Sequence, residues 1–220
     1  MQRSYALMDF DGTLLHGDSI IKFIAYAQTK GLCAKAQAVA GARAGVAYKL
    51  GLMTAGEAKR RSLAFLAGRS EAEVGPVVSA FYEDVLRPAL YRDGLSELRR
   101  LQEEGKAILL LTASPTFYLH PLKEVLGLEA IIGTRMDGND GVYTGLMGDN
   151  CKGVQKPLRL AEYLAAQGDR LDYESSVAYA DSLSDAPMLK LCRRKVLVNP
   201  KPRLWLALRR DPDATVARWQ

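Results

Sequence analysis

The feature that most constrains this chain is an apolar segment near its start that ends at two closely spaced carboxylates. Residues 5–8 form the apolar run, and Asp9, Asp11 and Gly12 follow it. Side chains alternate between the two faces of a strand, so Asp9 and Asp11 are predicted to point the same way as the chain leaves a sheet. Like charges repel unless a cation lies between them or one of them holds a proton. An Asp-Gly pair is also typical of an ordinary turn, so other residues must decide between a turn and a chemical site.

Length and composition are those of a globular protein. The chain has 220 residues, of which 48% are hydrophobic and 25% charged, which suits one domain with a sizeable insertion or two small domains. No apolar run is long enough to span a membrane, and the first strand begins too early for a cleaved leader to be expected. The cysteines, Cys33, Cys151 and Cys192, match neither a disulfide framework nor a zinc pattern. They predict reduced thiols and a cytoplasmic location.

The net charge of +5 is concentrated near the end of the chain. Eight lysines and arginines lie between residues 193 and 218 and face only Asp211 and Asp213. A solvated helical face is the simplest interpretation. Attraction to phosphorylated substrates, or peripheral contact with an anionic membrane surface, is the alternative. No nucleic-acid partner is expected, because the segment lacks interleaved aromatic residues and any recognised binding module.

Residues 17–88 have the pattern of a helical insertion. Apolar residues recur there every three or four positions in successive segments, which predicts helices. Thr54 and Glu57 have the spacing of a capping box for the third of these helices. Gly41 and Gly45 predict close packing between helices. We therefore expect a small helical cap domain over residues 17–88, inserted after the first strand.

The rest of the chain alternates between strand and helix patterns. Apolar strands are predicted near residues 107–111, 130–134, 176–180 and 196–198, with amphipathic helices between them and a hairpin turn at Asp140-Gly141. Such alternation predicts an α/β fold with a mostly parallel, Rossmann-like sheet that has helices on both faces. Residues 1–16 and 89–220 are expected to form this core domain.

Several polar residues lie at the predicted strand ends or helix starts, where α/β sheets bind ligands. They are Asp9 with Asp11, Thr112, Asp181 with Asp185, and Lys156. Carboxylates without histidine or cysteine partners favour Mg²⁺ over zinc. A hydroxyl and an ammonium beside such a metal suit the oxygens of a phosphoryl group.

Each of these residues also has an ordinary structural interpretation when it is taken alone. Thr112 could cap a helix, as could Ser114, with Pro115 in the first helical position. Lys156 could be a surface lysine, and Asp185 could cap its own helix. Only their combination favours a chemical site.

That combination resembles the motifs of the haloacid dehalogenase-like (HAD) phosphohydrolases. DFDGTL at residues 9–14 is similar to the first motif of that family, and LLTASP at residues 110–115 is similar to the second. Lys156 matches the third motif, and YADSLSD at residues 179–185 resembles the fourth. Their order and spacing fit over nearly the whole chain, which implies the fold and the phosphate chemistry of that family.

Finer features resemble one branch of the family. The early helical insertion, and Val198-Asn199-Pro200 together with Trp219, look most like the phosphoserine-phosphatase-type branch. Two positions depart from the family pattern: Thr112 stands where serine is common but keeps the hydroxyl, and Ala180 replaces the usual glycine. The second aspartate of the first motif, Asp11, argues for phosphate chemistry over dehalogenation.

The resemblance implies a role for each matching residue. Asp9 would attack phosphorus and form an aspartyl-phosphate, and Asp11 would act as the general acid and base. Asp9, Asp181, Asp185 and the backbone carbonyl of Asp11 would hold Mg²⁺, directly or through water. Thr112 would hydrogen-bond the phosphoryl group, and Lys156 would offset its charge. Backbone N–H groups near Gly12, Thr13 and Ala113 would bind the phosphoryl oxygens.

The cap is expected to close over the site and to supply specificity. Its polar candidates are Asp18, Lys22, Lys49, Arg60 and Arg61, of which Asp18 is the one assigned to substrate binding; solvation of a helical face is the alternative for each. The predicted activity is Mg²⁺-dependent hydrolysis of a small phosphorylated metabolite of the amino-acid or alcohol phosphate type. The alternatives are a lipid phosphatase of the phosphatidylglycerophosphate type at a membrane surface, a phosphotransferase, and a non-catalytic phosphate-binding protein.

Overall fold

The computed structural model describes residues 2–220. Its strands over this range are short and mostly apolar. They are β1 (Gln2–Arg3), β2 (Tyr5–Met8), β3 (Ala107–Pro115), β4 (Ala130–Thr134), β5 (Met136–Asn139), β6 (Val142–Met147), β7 (Arg170–Leu171), β8 (Val177–Ala180), β9 (Arg194–Val198) and β10 (Ala214–Ala217).

The helices fall into a group between β2 and β3 and a group that alternates with the later strands. They are α1 (Ser19–Thr29), α2 (Lys35–Lys49), α3 (Ala55–Ser62), α4 (Glu71–Phe81), α5 (Arg92–Glu103), α6 (His120–Val125), α7 (Gln155–Gln167), α8 (Ala186–Leu189) and α9 (Pro202–Leu208). Short 3₁₀ turns lie at Ala64–Leu66, Arg87–Ala89, Thr116–Tyr118 and Leu183–Asp185, and a wider π-helical turn lies at Tyr82–Leu86.

Six strands form one parallel sheet in the order β10-β9-β8-β2-β3-β4. The central strand β2 is fully buried and pairs with β3 and β8. Its side chains alternate between two apolar layers, because Ala6 and Met8 contact one cluster and Tyr5 and Leu7 the other. The first layer includes residues of α5, and the second includes residues of α7, α8 and α9. This arrangement confirms the predicted α/β class, with helices on both faces of a parallel sheet.

Local residue types explain how the inserted helices begin. The Asp18 side chain accepts hydrogen bonds from the N–H groups of Ile20 and Ile21 at 3.1 and 3.2 Å, which starts α1. Thr54 Oγ1 accepts from Glu57 N at 3.2 Å at the start of α3. The return bond of the predicted capping box is replaced by an ion pair, because Glu57 binds Arg61 at 2.6 Å.

Aromatic packing joins the inserted helices to the sheet. Phe23 of α1 lies 5.1 Å from both Phe117 and Tyr118 and 5.2 Å from Phe81 of α4, measured between ring centroids. These rings belong to the same buried cluster as Met8 of the central strand. Since aromatic side chains bury large apolar areas, this cluster holds α1 and α4 firmly against β3.

The hairpin of β5 and β6, with Asp140 and Gly141 in the left-handed region at its turn, also packs on the inserted segment. Gly68 N donates to Tyr143 O at 2.8 Å, and Tyr143 N donates to Arg69 O at 2.9 Å. The predicted cap of residues 17–88 is thus extended by a hairpin from the later part of the chain. The division into core and cap domains stays a prediction.

The end of the chain differs from the sequence-based expectation. A helical face was predicted for the basic tail, but α9 is followed by β10, which pairs with β9 in parallel register. Asn199 and Trp219 exchange hydrogen bonds of 3.0 and 3.2 Å, and these place the strand beside the sheet. The predicted helix start at Ser114-Pro115 was also wrong, because β3 continues to Pro115 and the Ser114 side chain turns to Asp11. Helical structure begins two residues later, at Thr116–Tyr118 and then in α6. Over residues 2–220, no helix combines the length and apolarity needed to cross a bilayer.

Candidate active site

A tight turn after β2 shapes the centre of the site. Gly12 has a φ of +82°, and a Cβ atom at this position would overlap Asp181 Oδ2. Only glycine therefore satisfies both the left-handed backbone and the close approach of β8. Gly12 N donates to Leu15 O at 2.8 Å and Thr13 N to Phe10 O at 3.1 Å. Of the three N–H groups predicted to bind phosphoryl oxygens, those of Gly12 and Thr13 are therefore engaged within the turn.

Asp9, Asp185 and Lys156 form a buried ion cluster. Lys156 is only 1% exposed, and its Nζ lies 2.6 Å from Asp9 Oδ1 and 2.6 Å from Asp185 Oδ1. Burial lowers the pKa of Lys156, but the two carboxylates outweigh this effect and hold the pKa above its usual value. Burial raises the pKa of Asp9 to about 7, against the opposing effect of Lys156. Thr13 Oγ1 donates to Asp9 Oδ2 at 3.2 Å, so each oxygen of the Asp9 carboxylate has a hydrogen-bonding partner.

The three carboxylates Asp9, Asp181 and Asp185 are placed to share a cation. One oxygen of each lies within 4.8 Å of the others, and all three residues are buried. Burial raises the pKa of Asp181 as well, while Lys201, whose Nζ lies 2.7 Å from Asp181 Oδ2, opposes the rise. A divalent cation would relieve this accumulation of buried negative charge. Oxygen ligands of this kind, at the edge of a cavity, fit Mg²⁺.

Asp11 faces a hydroxyl network and lies outside this group of metal-ligand side chains. Its carboxylate accepts a hydrogen bond from Ser19 N at 2.7 Å and another from Ser114 Oγ. Ser19 Oγ lies 2.9 Å from Ser114 Oγ and 3.0 Å from Tyr118 OH. Burial raises the pKa of the Asp11 carboxyl and Asp18 adds to the rise, while the two serines oppose it. A carboxyl that is oriented in this way and is readily protonated suits a general acid.

Thr112 and Ala113 lie at the end of β3 beside the carboxylates. Thr112 Oγ1 accepts from Ser114 N at 2.9 Å, which leaves the hydroxyl hydrogen for another acceptor. The Ala113 carbonyl accepts from Thr134 Oγ1 at 2.7 Å and from Lys59 Nζ. Lys59 comes from α3, and its Nζ also donates to Asn150 Oδ1 at 2.7 Å. Lys59 is thus one of the contacts between the cap helices and the core. It is half-buried, and burial lowers its pKa to about 8.

The structure gathers most of the predicted site residues around one cavity of about 560 Å³. Among its lining residues are the predicted ones Asp9, Asp11, Asp18, Lys49, Thr112, Ala113, Lys156, Asp181 and Asp185. Gly12 and Thr13 do not line it, but Gly12 packs against Asp181 and Thr13 binds Asp9. Lys22, Arg60 and Arg61 do not line it, and Arg61 pairs with Glu57 instead.

Several residues at the site were missed by sequence reasoning. Ser19 and Ser114 bind Asp11, and Tyr118 OH bonds with Ser19 Oγ. These groups meet only because α1 packs against the end of β3. Lys59 had a usable signal: Ala55, Lys59 and Ser62 follow a helical spacing of four and three, which puts the lysine on the buried face of α3.

Comparisons with known proteins identify the family of this chain. A model of the family described as haloacid dehalogenase-like hydrolase matches residues 6–190. A Mycobacterium tuberculosis protein named phosphoserine phosphatase SerB1 is 30% identical over 210 residues, which cover 90% of this chain and 66% of that protein. A Neisseria meningitidis protein named histidinol-phosphatase is 29% identical over 206 residues, which cover 92% of this chain and 93% of that protein. The chain therefore spans about two thirds of the mycobacterial relative and nearly all of the neisserial one.

A solved structure with a similar fold is that of a protein of unknown function from Bordetella pertussis Tohama I. It superposes with a TM-score of 0.90 at 28% sequence identity, over 99% of each chain. Because the family match covers most of its length, the chain belongs to the haloacid dehalogenase-like hydrolase family. The phosphatase names of its relatives support a phosphatase activity.

Proposed function

We propose that this member of the haloacid dehalogenase-like hydrolase family is a magnesium-dependent phosphomonoester hydrolase that works through an aspartyl-phosphate on Asp9. The observation that carries the proposal is the setting of Asp9. Its carboxylate lies at the end of the central strand, 2.6 Å from the Lys156 ammonium and within 4.8 Å of two further carboxylates. A carboxylate held by a lysine at a cation site is equipped to attack phosphorus, since its charge and that of the substrate are both offset.

In the first step, an oxygen of Asp9 attacks the phosphorus atom and the bond to the substrate's alcohol oxygen breaks. Asp11 donates its proton to that oxygen, so that the alcohol leaves neutral. Thr112 donates a hydrogen bond to the phosphoryl group, and Lys156 balances its negative charge. Ser19 and Ser114 keep the Asp11 carboxyl directed towards the leaving oxygen by holding both of its oxygens.

In the second step, Asp11 acts as the base. It takes a proton from a water molecule, whose oxygen attacks the phosphorus and releases inorganic phosphate from Asp9. The enzyme returns to its starting state with Asp9 ionised and Asp11 protonated. Asp9, Asp181, Asp185 and the backbone carbonyl of Asp11 would hold Mg²⁺, which when bound offsets the charge that gathers on the phosphoryl oxygens.

The test is phosphate release from a broad panel of phosphomonoesters by the wild type and by the Asp9→Asn variant, with Mg²⁺ or with EDTA. We expect turnover that needs both Mg²⁺ and Asp9, with a loss of at least about 10⁴-fold in the variant, because the nucleophile is gone. Activity that survives in pure Asp9→Asn protein would refute the assignment of the nucleophile.

Two outcomes separate the alternatives. A phosphotransferase would transfer the phosphoryl group to an added alcohol, and this would appear as a new phosphate ester in place of inorganic phosphate. A non-catalytic binding protein would release no phosphate from any compound of the panel while still binding inorganic phosphate.

A further inference from the structure

The cavity over the site has two chemically different ends. The phosphate end contains the carboxylates and lysines described above. The cap end is lined by apolar side chains of α1 and α2, and these continue directly from the phosphate end without a wall between them. The apolar lining residues of the cap end are Ile20, Ile21, Ile24, Ala38, Ala42 and Val46. An apolar pocket that ends at a few converging polar groups is the usual form of a small-molecule site.

Small residues of α2 keep the cap end open. Gly41 and Gly45 face the cavity one helical turn apart, but they differ in their surroundings. A Cβ at Gly41 would meet Ser62 Cα at 3.2 Å, so this glycine lets α2 and α3 pack closely. A Cβ at Gly45 would meet no atom within 4 Å. The absence of a side chain at Gly45 therefore serves no packing contact and leaves space in the cavity.

Apolar side chains on the walls of this end remain uncovered. Ile21 and Val46 are 61% and 56% exposed, although they lie on opposite walls of one cavity. Covering this exposed apolar surface with an apolar group of a ligand is favourable, because apolar surface is removed from water.

Several polar groups at the cap end already have partners within the chain, whereas Gln28 and Lys49 also line this end. Asp18 caps α1, and Lys59 donates to Ala113 O and Asn150. Tyr48 OH lies 2.7 Å from Lys152 Nζ, and Ser62 Oγ donates to Gly41 O at 3.2 Å. To be recognised here, the ammonium and carboxylate of an amino-acid phosphate would have to displace these bonds or bind Gln28 and Lys49. Among the described lining residues of α1, α2 and α3, Lys49 could bind the carboxylate, but no carboxylate is left to bind the ammonium.

We infer that the alcohol esterified to the phosphate is an aliphatic chain, and that this chain lies between α1 and α2 with its phosphate at Asp9. The inference rests on the proposed function and narrows it. The substrate class is then that of alkyl-type phosphomonoesters, in preference to the amino-acid and amino-alcohol phosphates suggested by the names of the relatives.

The experiment compares a series of linear alkyl phosphates of increasing length, each below its micellar concentration, with phosphoserine and histidinol phosphate. We expect kcat/KM to rise by about fourfold for each methylene that enters the cavity and then to level off. A Gly45→Leu variant should lower the ratio of kcat/KM for long over short alkyl phosphates by more than about tenfold, because leucine fills the space that the chain occupies. Gly75→Leu is the matched control, since Gly75 lies inside α4 with open space at its Cβ and does not line the cavity. It should leave the ratio unchanged.

The possible outcomes test the substrate inference and the proposed phosphatase function separately. A flat chain-length profile, or a preference for phosphoserine or histidinol phosphate over every alkyl phosphate, overturns the inference and leaves the phosphatase proposal intact. If no compound is hydrolysed, the proposed function fails, and calorimetric binding of linear alkyl phosphonates to the wild type then decides the inference. Affinity that rises with chain length supports it, and affinity that does not rise refutes it.

Discussion

The two ends of the active-site cavity differ in how completely their groups are partnered. At the phosphate end every carboxylate has a cationic or hydrogen-bonding partner, as Asp9 and Asp185 have in Lys156 and Asp11 has in Ser19 and Ser114. At the cap end apolar side chains such as Ile21 and Val46 face open space. A site with fully ordered charges is prepared for one reaction, whereas an open apolar wall selects only by shape and apolar area. If the two proposals above hold, the core carries out the chemistry and the cap selects the alcohol.

The paired charges at the phosphate end are not expected to increase the stability of the fold. Burying Lys156 between two carboxylates requires the removal of three charged groups from water, and their mutual attraction offsets this desolvation only in good geometry. The two contacts of 2.6 Å supply that geometry. Such a cluster is best explained by its chemistry, and its disruption should affect both folding and turnover.

Among the variants that test this difference between the two ends, Asp11→Asn is expected to lower kcat/KM the most. The amide can still accept a hydrogen bond from Ser19 N but can no longer give a proton to the leaving oxygen, so kcat/KM should fall by about 10³-fold. Steady-state phosphate release measures this loss. Asp18→Asn is the control, because asparagine also caps helices and this residue lines the same cavity. A loss of less than about tenfold for Asp11→Asn would contradict its role as the acid.

Lys156→Met should strongly destabilise the folded protein. It leaves Asp9 and Asp185 buried without their cation, so the free energy of unfolding should fall by about 3–5 kcal/mol near neutral pH. Without the lysine, the raised pKa of the buried Asp9 carboxyl lets the folded variant hold a proton that the unfolded chain has lost, so the lost stability should return as the pH is lowered. Urea denaturation at about pH 5.5 and about pH 8 tests the sign.

The matched control for that variant is Lys201→Met. Lys201 pairs with Asp181 at 2.7 Å, but its side chain is 63% exposed. An ion pair in contact with water contributes less than about 1 kcal/mol. Equal losses in the two variants would show that burial of the Lys156 cluster has no special importance.

Lys59→Met tests the contact between the two ends. The wild-type lysine has a pKa lowered to about 8 in the folded protein, against an ordinary value of 10.5. Between these values the unfolded chain binds more protons than the folded one, so the stability of the wild type should rise with pH by up to about 3 kcal/mol. The variant should lack this rise. Arg60→Met, at an exposed neighbouring position, should retain it, and a wild-type profile that is flat across this window would contradict the shift.

Gly12→Ala should have the smallest effect of these variants, and the effect should be a lower affinity for Mg²⁺. The added methyl group would overlap Asp181 Oδ2 and displace a ligand, so the Mg²⁺ concentration for half-maximal phosphate release should rise by about 10–100-fold. Gly31→Ala is the control, since Gly31 has a similar φ of +73° with open space around it. It imposes the same backbone strain without the overlap. If both variants respond alike, strain and not displacement of Asp181 is the cause.

The contrast between the ends also explains what the sequence could predict. Asp9, Thr112 and Asp181 each follow a short apolar strand, and parallel strands bring such positions to one edge of a sheet, so their convergence follows from local patterns. Lys59 reaches Ala113 only after α3 has packed on the core, and no local pattern reports that distance. Strand β10 was missed because Ala214–Ala217 is short and follows a polar segment, and its pairing depends on the exchange of hydrogen bonds between Asn199 and Trp219.

The most direct test of the central claim is to look for the phosphoryl group on Asp9. Wild-type protein turning over an aryl phosphate in the presence of Mg²⁺ would be quenched in acid, which preserves acyl phosphates, and the peptide containing Asp9 would be examined by mass spectrometry. The account predicts a phosphoryl group on Asp9 and none in protein quenched without substrate. Rapid turnover with Asp9 unmodified under these conditions, or a phosphoryl group on another residue, would contradict it.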